Sequence, residues 1–169
     1  MNLKRLITNS LLLAIGAVLH QITPPLVLGM KPDFSLAMLF IIMILNEDYK
    51  SCISAGLIAG ILAAATTGFP GGQIPNVIDK LITANLMFLF LKPIRKALNN
   101  QIKIIITTAI GTLISGTAFL TLASIMVGLP TSFRVLFLSV VLPAIVINTV
   151  AGSVLFNAIN VALKRRATT

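Results

Sequence analysis

Apolar runs divided by short polar connections occupy most of this sequence, at residues 6–22, 34–45, 51–66, 76–91, 102–126 and 135–163. Crossing the hydrocarbon core of a bilayer takes about 20 helical residues. Only helices and closed barrels satisfy their own backbone hydrogen bonds there. Hydrophobic residues make up 57% of the chain and charged residues 10%, whereas a soluble domain carries about 25% charge to solvate its surface. This surface must face lipid. The expected fold is all-α, a compact bundle of six transmembrane helices forming one domain over residues 1–169. The run after Lys4 and Arg5 reads as an uncleaved first helix, because residues 14–17 make no convincing A-x-A cleavage site.

The formal net charge of +9 could point to nucleic acid or anionic lipid, but its distribution points to topology. Six spans put both termini on one side. A cytoplasmic placement gives that side Lys4, Arg5, Lys50, Lys92, Arg95, Lys96, Lys103, Lys164, Arg165 and Arg166, and leaves Lys31, Lys80 and Arg134 in the outer half. That is a strong positive-inside bias. The expectation is therefore cytoplasmic termini, basic clusters acting as topology signals and lipid anchors, and no nucleic-acid partner. The single Cys52 allows no internal disulfide.

Small residues line three helix faces: Ser10, Ala14 and Ala17 or Val18 in the first span, Gly56, Gly60 and Ala64 with Ala55, Ala59 and Ala63 in the third, and Gly111 with Ser115 in the fifth. Such faces let helices approach closely in lipid. Packing within the bundle explains them. Docking onto another membrane protein is the functional alternative, and the first span is its best candidate.

Polar chemistry concentrates in the outer half. Pro24, Pro25 and Pro32 make the first connection irregular. The second span is too short: about 13 residues between Asp33 and Glu47 make roughly 20 Å of helix against a core of about 30 Å. Its outer end must lie below the membrane surface, where irregular backbone survives only inside protein or against a wet cavity. Lys31 and Asp33 then sit at a cavity mouth, unless Asp33 is only a helix cap and Lys31 snorkels outward.

The run Phe69-Pro70-Gly71-Gly72-Gln73-Ile74-Pro75-Asn76 delivers the fourth span. Asn76, Asp79, Lys80 and Thr83 share one arc of that helix, and Met87 extends it inward. Asn76 as N-cap with Asp79 three residues on would resemble a capping box. A cation at a helix N-terminus opposes the macrodipole, so Lys80 calls for an anion nearby. Thr117, Thr121 and Ser124 in the fifth span and Asn148 in the sixth add single polar groups. Hydroxyls there often bond only their own helix. Two cations (Lys31, Lys80) and two carboxylates (Asp33, Asp79) around an apolar interior suit a zwitterion such as an amino acid, or else form internal ion pairs that bind nothing.

No metal site is expected, since His20 is the lone histidine. No cofactor motif and no catalytic signature of the Gly-x-Ser-x-Gly or His-Glu-x-x-His type is present, so the chain reads as no enzyme and no catalytic residue is assigned.

Leu13-Ala14-Ile15-Gly16-Ala17, Ile22-Thr23-Pro24-Pro25, Gly29-Met30-Lys31-Pro32-Asp33 and the run from Phe69 to Lys80 resemble the bacterial tryptophan transporter family, and Val127-Gly128-Leu129-Pro130, Val141-Leu142-Pro143 and Asn148-Thr149 continue the match. That family is in turn similar to the small substrate-binding subunits of energy-coupling-factor transporters. The resemblance implies a multi-pass protein of the bacterial plasma membrane that takes up tryptophan through an outward-facing pocket. It implies as partners a transmembrane coupling subunit and two ATPase subunits, with Ser10, Ala14 and Val18 in the place of the docking stripe. It leaves open a standalone ion-coupled permease, and a non-transporting membrane scaffold is the reading from another class. On this view Lys31 or Lys80 holds the tryptophan carboxylate and Asp33 or Asp79 the ammonium. The indole lies near Phe69 and Met87, with Asn148 or Thr121 available to its N–H, and Asn76 and Thr83 complete the face.

Overall fold

The computed structural model describes residues 3–26 and 30–167, without the side chains of residues 164–167. Gly29 and the side chains of Lys164, Arg165 and Arg166, which entered the charge argument, lie outside the described residues. All regular structure among the described residues is helical: α1 (Leu3–Ile22), α2 (Phe34–Leu45), α3 (Tyr49–Thr66), α4 (Gln73–Ile94), α5 (Asn100–Met126) and α6. Helix α6 joins an α-helical turn (Phe133–Leu136), a π-helical turn (Phe137–Val141) and a long α-helical segment (Leu142–Ala167). Five helices are long and apolar enough to cross a membrane; α2, at 12 residues, is not.

That short helix is the centre of the bundle. Every residue from Ser35 to Met43 is buried, and α2 packs against α1, α3, α5 and α6. A helix apolar all round finds its partners only when other helices surround it. Leu36, Phe40, Ile41 and Ile42 join Leu12, Leu13, Met87, Leu91, Ile104 and Phe156 in the main core. Asp33 closes the start of α2, accepting the backbone N–H of Leu36 at 3.1 Å, so the capping role expected as an alternative is real.

Small residues set the spacing. A Cβ on Gly60 would stand 3.0 Å from Val77 Cα and 3.2 Å from Lys80 Cβ, and one on Gly56 would stand 2.5 Å from Ala84 Cβ. Glycine on α3 therefore brings α4, and with it Lys80, against the bundle. Gly111 does the same on α5, where the Phe40 ring occupies the space a Cβ would take.

The fourth helix starts earlier than the sequence suggested. Gly72 is its N-cap, without a side-chain cap bond, and the Asn76 amide donates to the Gly72 carbonyl at 2.8 Å. The capping-box expectation for Asn76 and Asp79 is overturned: both lie inside the helix, which frees Asp79 for other partners. In α6, Pro143 has no N–H for the Ser139 carbonyl and its ring crowds that carbonyl. The π turn accommodates the proline, with the Leu142 N–H bonding the Phe137 carbonyl instead.

Candidate functional site

The start of α2, the first turns of α4 and the middle of α5 converge on one ammonium group. Lys80 Nζ lies 2.8 Å from Asp33 Oδ2 and 2.9 Å from Asp79 Oδ2, and donates to Ser115 Oγ at 3.3 Å. Lys80 is 2% exposed and Asp79 0%. A lysine ammonium has three donors, and all three are taken.

The two carboxylates differ in how they are filled. Asp33 accepts from the Ser35 hydroxyl, the Leu36 N–H and Lys80, and His20 Nδ1 stands 3.5 Å from its Oδ1. Asp79 accepts from Ser115 Oγ at 2.5 Å and from Lys80, one bond to each oxygen. An ionised carboxylate has room for about four such bonds. Asp79 keeps spare capacity.

These groups line a cavity of about 90 Å³. One water needs about 10–15 Å³ of such space, so the cavity holds several waters. Its apolar wall comes from Met30, Leu36, Phe69, Phe119, Val140, Val141 and Ala144. The Phe69 and Phe119 rings meet edge to face, 5.5 Å between centroids. Val140 and Val141 belong to the π turn of α6, so the irregularity around Pro143 shapes this wall.

Of the residues expected at the site, Lys31, Asp33, Asn76, Asp79, Lys80 and Asn148 line this cavity. Lys31 is partly exposed, and among the described residues its Nζ bonds only the Gln21 carbonyl, at 3.4 Å. Desolvation lowers its pKa from the ordinary lysine value, and Asp33 opposes that shift. Asn148, 1% exposed, donates to Thr112 Oγ1 at 3.3 Å, while its Oδ1 has no hydrogen-bond partner among the described residues. Thr83 and Met87 share the buried face of α4 but lie beyond the cavity, with Met87 in the main core. Thr121 lies elsewhere. It is exposed and its hydroxyl donates to the Thr117 carbonyl at 2.8 Å. Six residues past Ser115, it points about 240° round the helix from the cluster. Thr117 likewise bonds its own helix, at the Leu113 carbonyl.

Sequence reasoning missed His20 and Ser115. His20 read as a lone histidine, and Ser115 as part of a packing face. A signal was present for each: His20 and Asp33 flank the same proline-rich connection, and Ser115 is the polar member of an otherwise small-residue face. Ser10, Ala14 and Val18 are exposed along α1, beside Ile7, Leu11 and Ile15.

A family model, described as tryptophan transporter TrpP, matches residues 2–164. The chain belongs to that family. Among curated relatives, a protein of Clostridium acetobutylicum is 58% identical over 97% of this chain and 96% of its own length. One of Clostridium perfringens is 49% identical over 97% and 95%, and one of Bacillus subtilis 42% identical over 98% and 95%. Each of the three bears the name "Probable tryptophan transport protein". No solved structure matches the chain. The family is one of transporters, not enzymes, and with five helices suited to spanning a bilayer this member is a multi-pass protein of the bacterial cell membrane.

Proposed function

We propose that this family member binds tryptophan in the cavity beside Lys80, in the outer half of a single bundle of six spans with cytoplasmic termini. The observation that carries the reading is the saturation of Lys80. With its three donors committed to Asp33, Asp79 and Ser115, it orders the site and leaves Lys31, at the mouth, to meet the ligand carboxylate. The ammonium goes to Asp79, whose oxygens have acceptor capacity left. The indole packs among Met30, Phe69, Phe119, Val140 and Val141, where an aromatic ring buries most of its area. Its N–H meets Asn148 Oδ1, a buried acceptor without another partner among the described residues.

The relatives' printed names support tryptophan as cargo, and the charge bias of the connections supports the orientation. The mode of coupling we read is that of an energy-coupling-factor substrate-binding subunit. The exposed α1 face around Ser10, Ala14 and Val18 would dock on a transmembrane coupling subunit driven by two ATPases. Co-purification of those partners supports this mode. Uptake that collapses with an uncoupler and needs no ATPase supports a standalone permease instead.

The chain contains no tryptophan, so ligand fluorescence is read against a nearly dark protein. Saturable tryptophan binding is expected in purified protein, and Lys31→Ala weakens it by about 10- to 100-fold, the range for losing a hydrogen bond to a charged group. The same variant leaves the affinity for tryptamine, which lacks the carboxylate, within about twofold. Equal loss for both ligands removes Lys31 from the carboxylate role, and absence of saturable binding in the parent protein ends the reading.

A further inference from the structure

The charges buried at the site do not balance. Lys80 contributes one positive charge, and Asp33 and Asp79 contribute two negative ones, in a setting where Lys80 and Asp79 are almost sealed from solvent. An uncompensated buried charge is costly, and buried groups give up or take on a proton to avoid it. Four groups could take the correction. Asp33 receives the Ser35 hydroxyl, the Leu36 N–H and Lys80, so its ionised form is the one best held. His20 Nδ1 lies 3.2 Å from the Pro32 carbonyl and 3.5 Å from Asp33 Oδ1, an oxygen that the Ser35 hydroxyl and the Leu36 N–H already fill. Lys31 is turned to the Gln21 carbonyl. That leaves Asp79, the carboxyl with fewest donors and no solvent.

We propose that Asp79 holds one proton until ligand arrives, and that the ligand ammonium displaces it. In the neutral carboxyl the 2.5 Å contact in which Asp79 accepts from Ser115 Oγ is reversed, and the carboxyl O–H donates to that oxygen. When the ammonium takes its place beside Asp79, the O–H bond breaks, the carboxylate keeps the electron pair and pairs with the ammonium, and the proton leaves through the cavity mouth past Asp33 and His20. Among the buried groups the net charge is zero before binding, with Asp79 neutral and Lys80 against Asp33, and zero after it, with the ligand ammonium against Asp79; the ligand carboxylate is balanced by Lys31 at the mouth. The groups facing Asp79 are Lys80 on its own helix, Asp33 at the start of α2, Ser115 on α5 and, beyond Asp33, His20 on α1 and Lys31 in the connection. Helix α3 meets this part of α4 at Gly60, against Val77 and Lys80, and at Gly56, against Ala84. A metal cation is a poorer fit for the missing charge. Hard cations take about six oxygen ligands, and both Asp79 oxygens already have partners.

The inference rests on the binding reading above and fails separately from it. Tryptophan is titrated by fluorescence into the full purified chain between about pH 5 and 8. Calorimetry in two buffers of different ionisation enthalpy counts protons. One proton released per ligand is expected at the acid end of the range, where affinity rises by up to about tenfold per pH unit, and the release fades where affinity levels above it. Tryptamine releases the proton and indole-3-propionate, which lacks the ammonium, releases none. Difference infrared spectra show a protonated-carboxyl carbonyl band lost on binding, and Asp79→Asn removes that band. Saturable binding with no proton release, or release that persists in Asp79→Asn, overturns the proposal. So does proton-neutral binding that tightens with sodium. No saturable binding at any pH overturns the binding reading, and this inference with it.

Discussion

The two ends of the bundle handle buried polarity in opposite ways. At the end where α2 begins, three ionisable side chains are packed together and one amide oxygen has no partner among the described residues. At the end where α2 finishes, the buried side chains around Asn46 are neutral and paired. The Asn46 side chain donates to Asn9 Oδ1 at 3.0 Å and to the Ile42 carbonyl at 2.8 Å, and its backbone carbonyl accepts Arg95 Nη2 at 3.2 Å and Cys52 Sγ at 3.4 Å. Lys103 Nζ closes the set on the Arg95 carbonyl at 2.9 Å. Four helices meet at one asparagine and α5 joins them through Arg95, and the cation lies where the helix dipole favours it. The lesson is a division of labour. The α2 C-terminus is finished and holds the bundle together, whereas the α2 N-terminus is left chemically unfinished, with spare acceptors facing a cavity.

Four substitutions break or sharpen that contrast. Lys80→Met leaves two carboxylates without their cation, so stability in detergent falls by about 3–5 kcal/mol and tryptophan binding disappears. Adding Asp33→Asn and Asp79→Asn brings back the thermal midpoint but not the binding. A single variant that melts like the parent would show that the site end is no more strained electrically than the other. Gly60→Val wedges α3 from α4 beside Lys80 and costs about 1–3 kcal/mol. Thermal unfolding and fluorescence titration should fall together, because the contact it disturbs carries the site.

Asn46→Ala, at the other end, unties Asn9 and costs about 1–2 kcal/mol with ligand affinity unchanged within twofold. Coupled loss of affinity would mean the two ends are linked. The smallest effect is expected at Asp48, the exposed N-cap of α3, whose carboxylate accepts the Ser51 N–H at 2.9 Å. Asp48→Ala costs about 1 kcal/mol at neutral pH. Hydrogen bonds from Ser51 hold the Asp48 carboxyl below its ordinary value. Its contribution is therefore present above that ordinary value and lost as pH falls through the lowered one, so the melting curves of variant and parent converge on acidification.

Much of this was legible along the chain. The sequence spans and the helices agree at their ends to within about three residues except where the last helix continues to Ala167, because apolar length and proline placement are local properties. The shortness of α2 predicted that Lys31 and Asp33 would come down beside the start of α4; Asp33 pairs with Lys80 at 2.8 Å, whereas Lys31 lines the cavity and bonds the Gln21 carbonyl. Small residues on α3 predicted close packing within the bundle, and Gly56 and Gly60 supply it against α4. Thr121 went wrong as a cavity-facing candidate because a polar residue on a long helix carries no mark of which side its neighbours occupy.

Sequence alone therefore determined the solvent this protein lives in, the number and limits of its helices, and which residues had charge to spend inside lipid, since each follows from hydrophobic length and composition along one chain. Only the tertiary structure decided that Lys80 is fully occupied while Lys31 is not, that Ser115 and His20 join the cluster, and that Asp79 keeps unfilled acceptor capacity. Those outcomes depend on how helices far apart in sequence meet in space, and three donors on one ammonium can be counted only after every neighbour is in place.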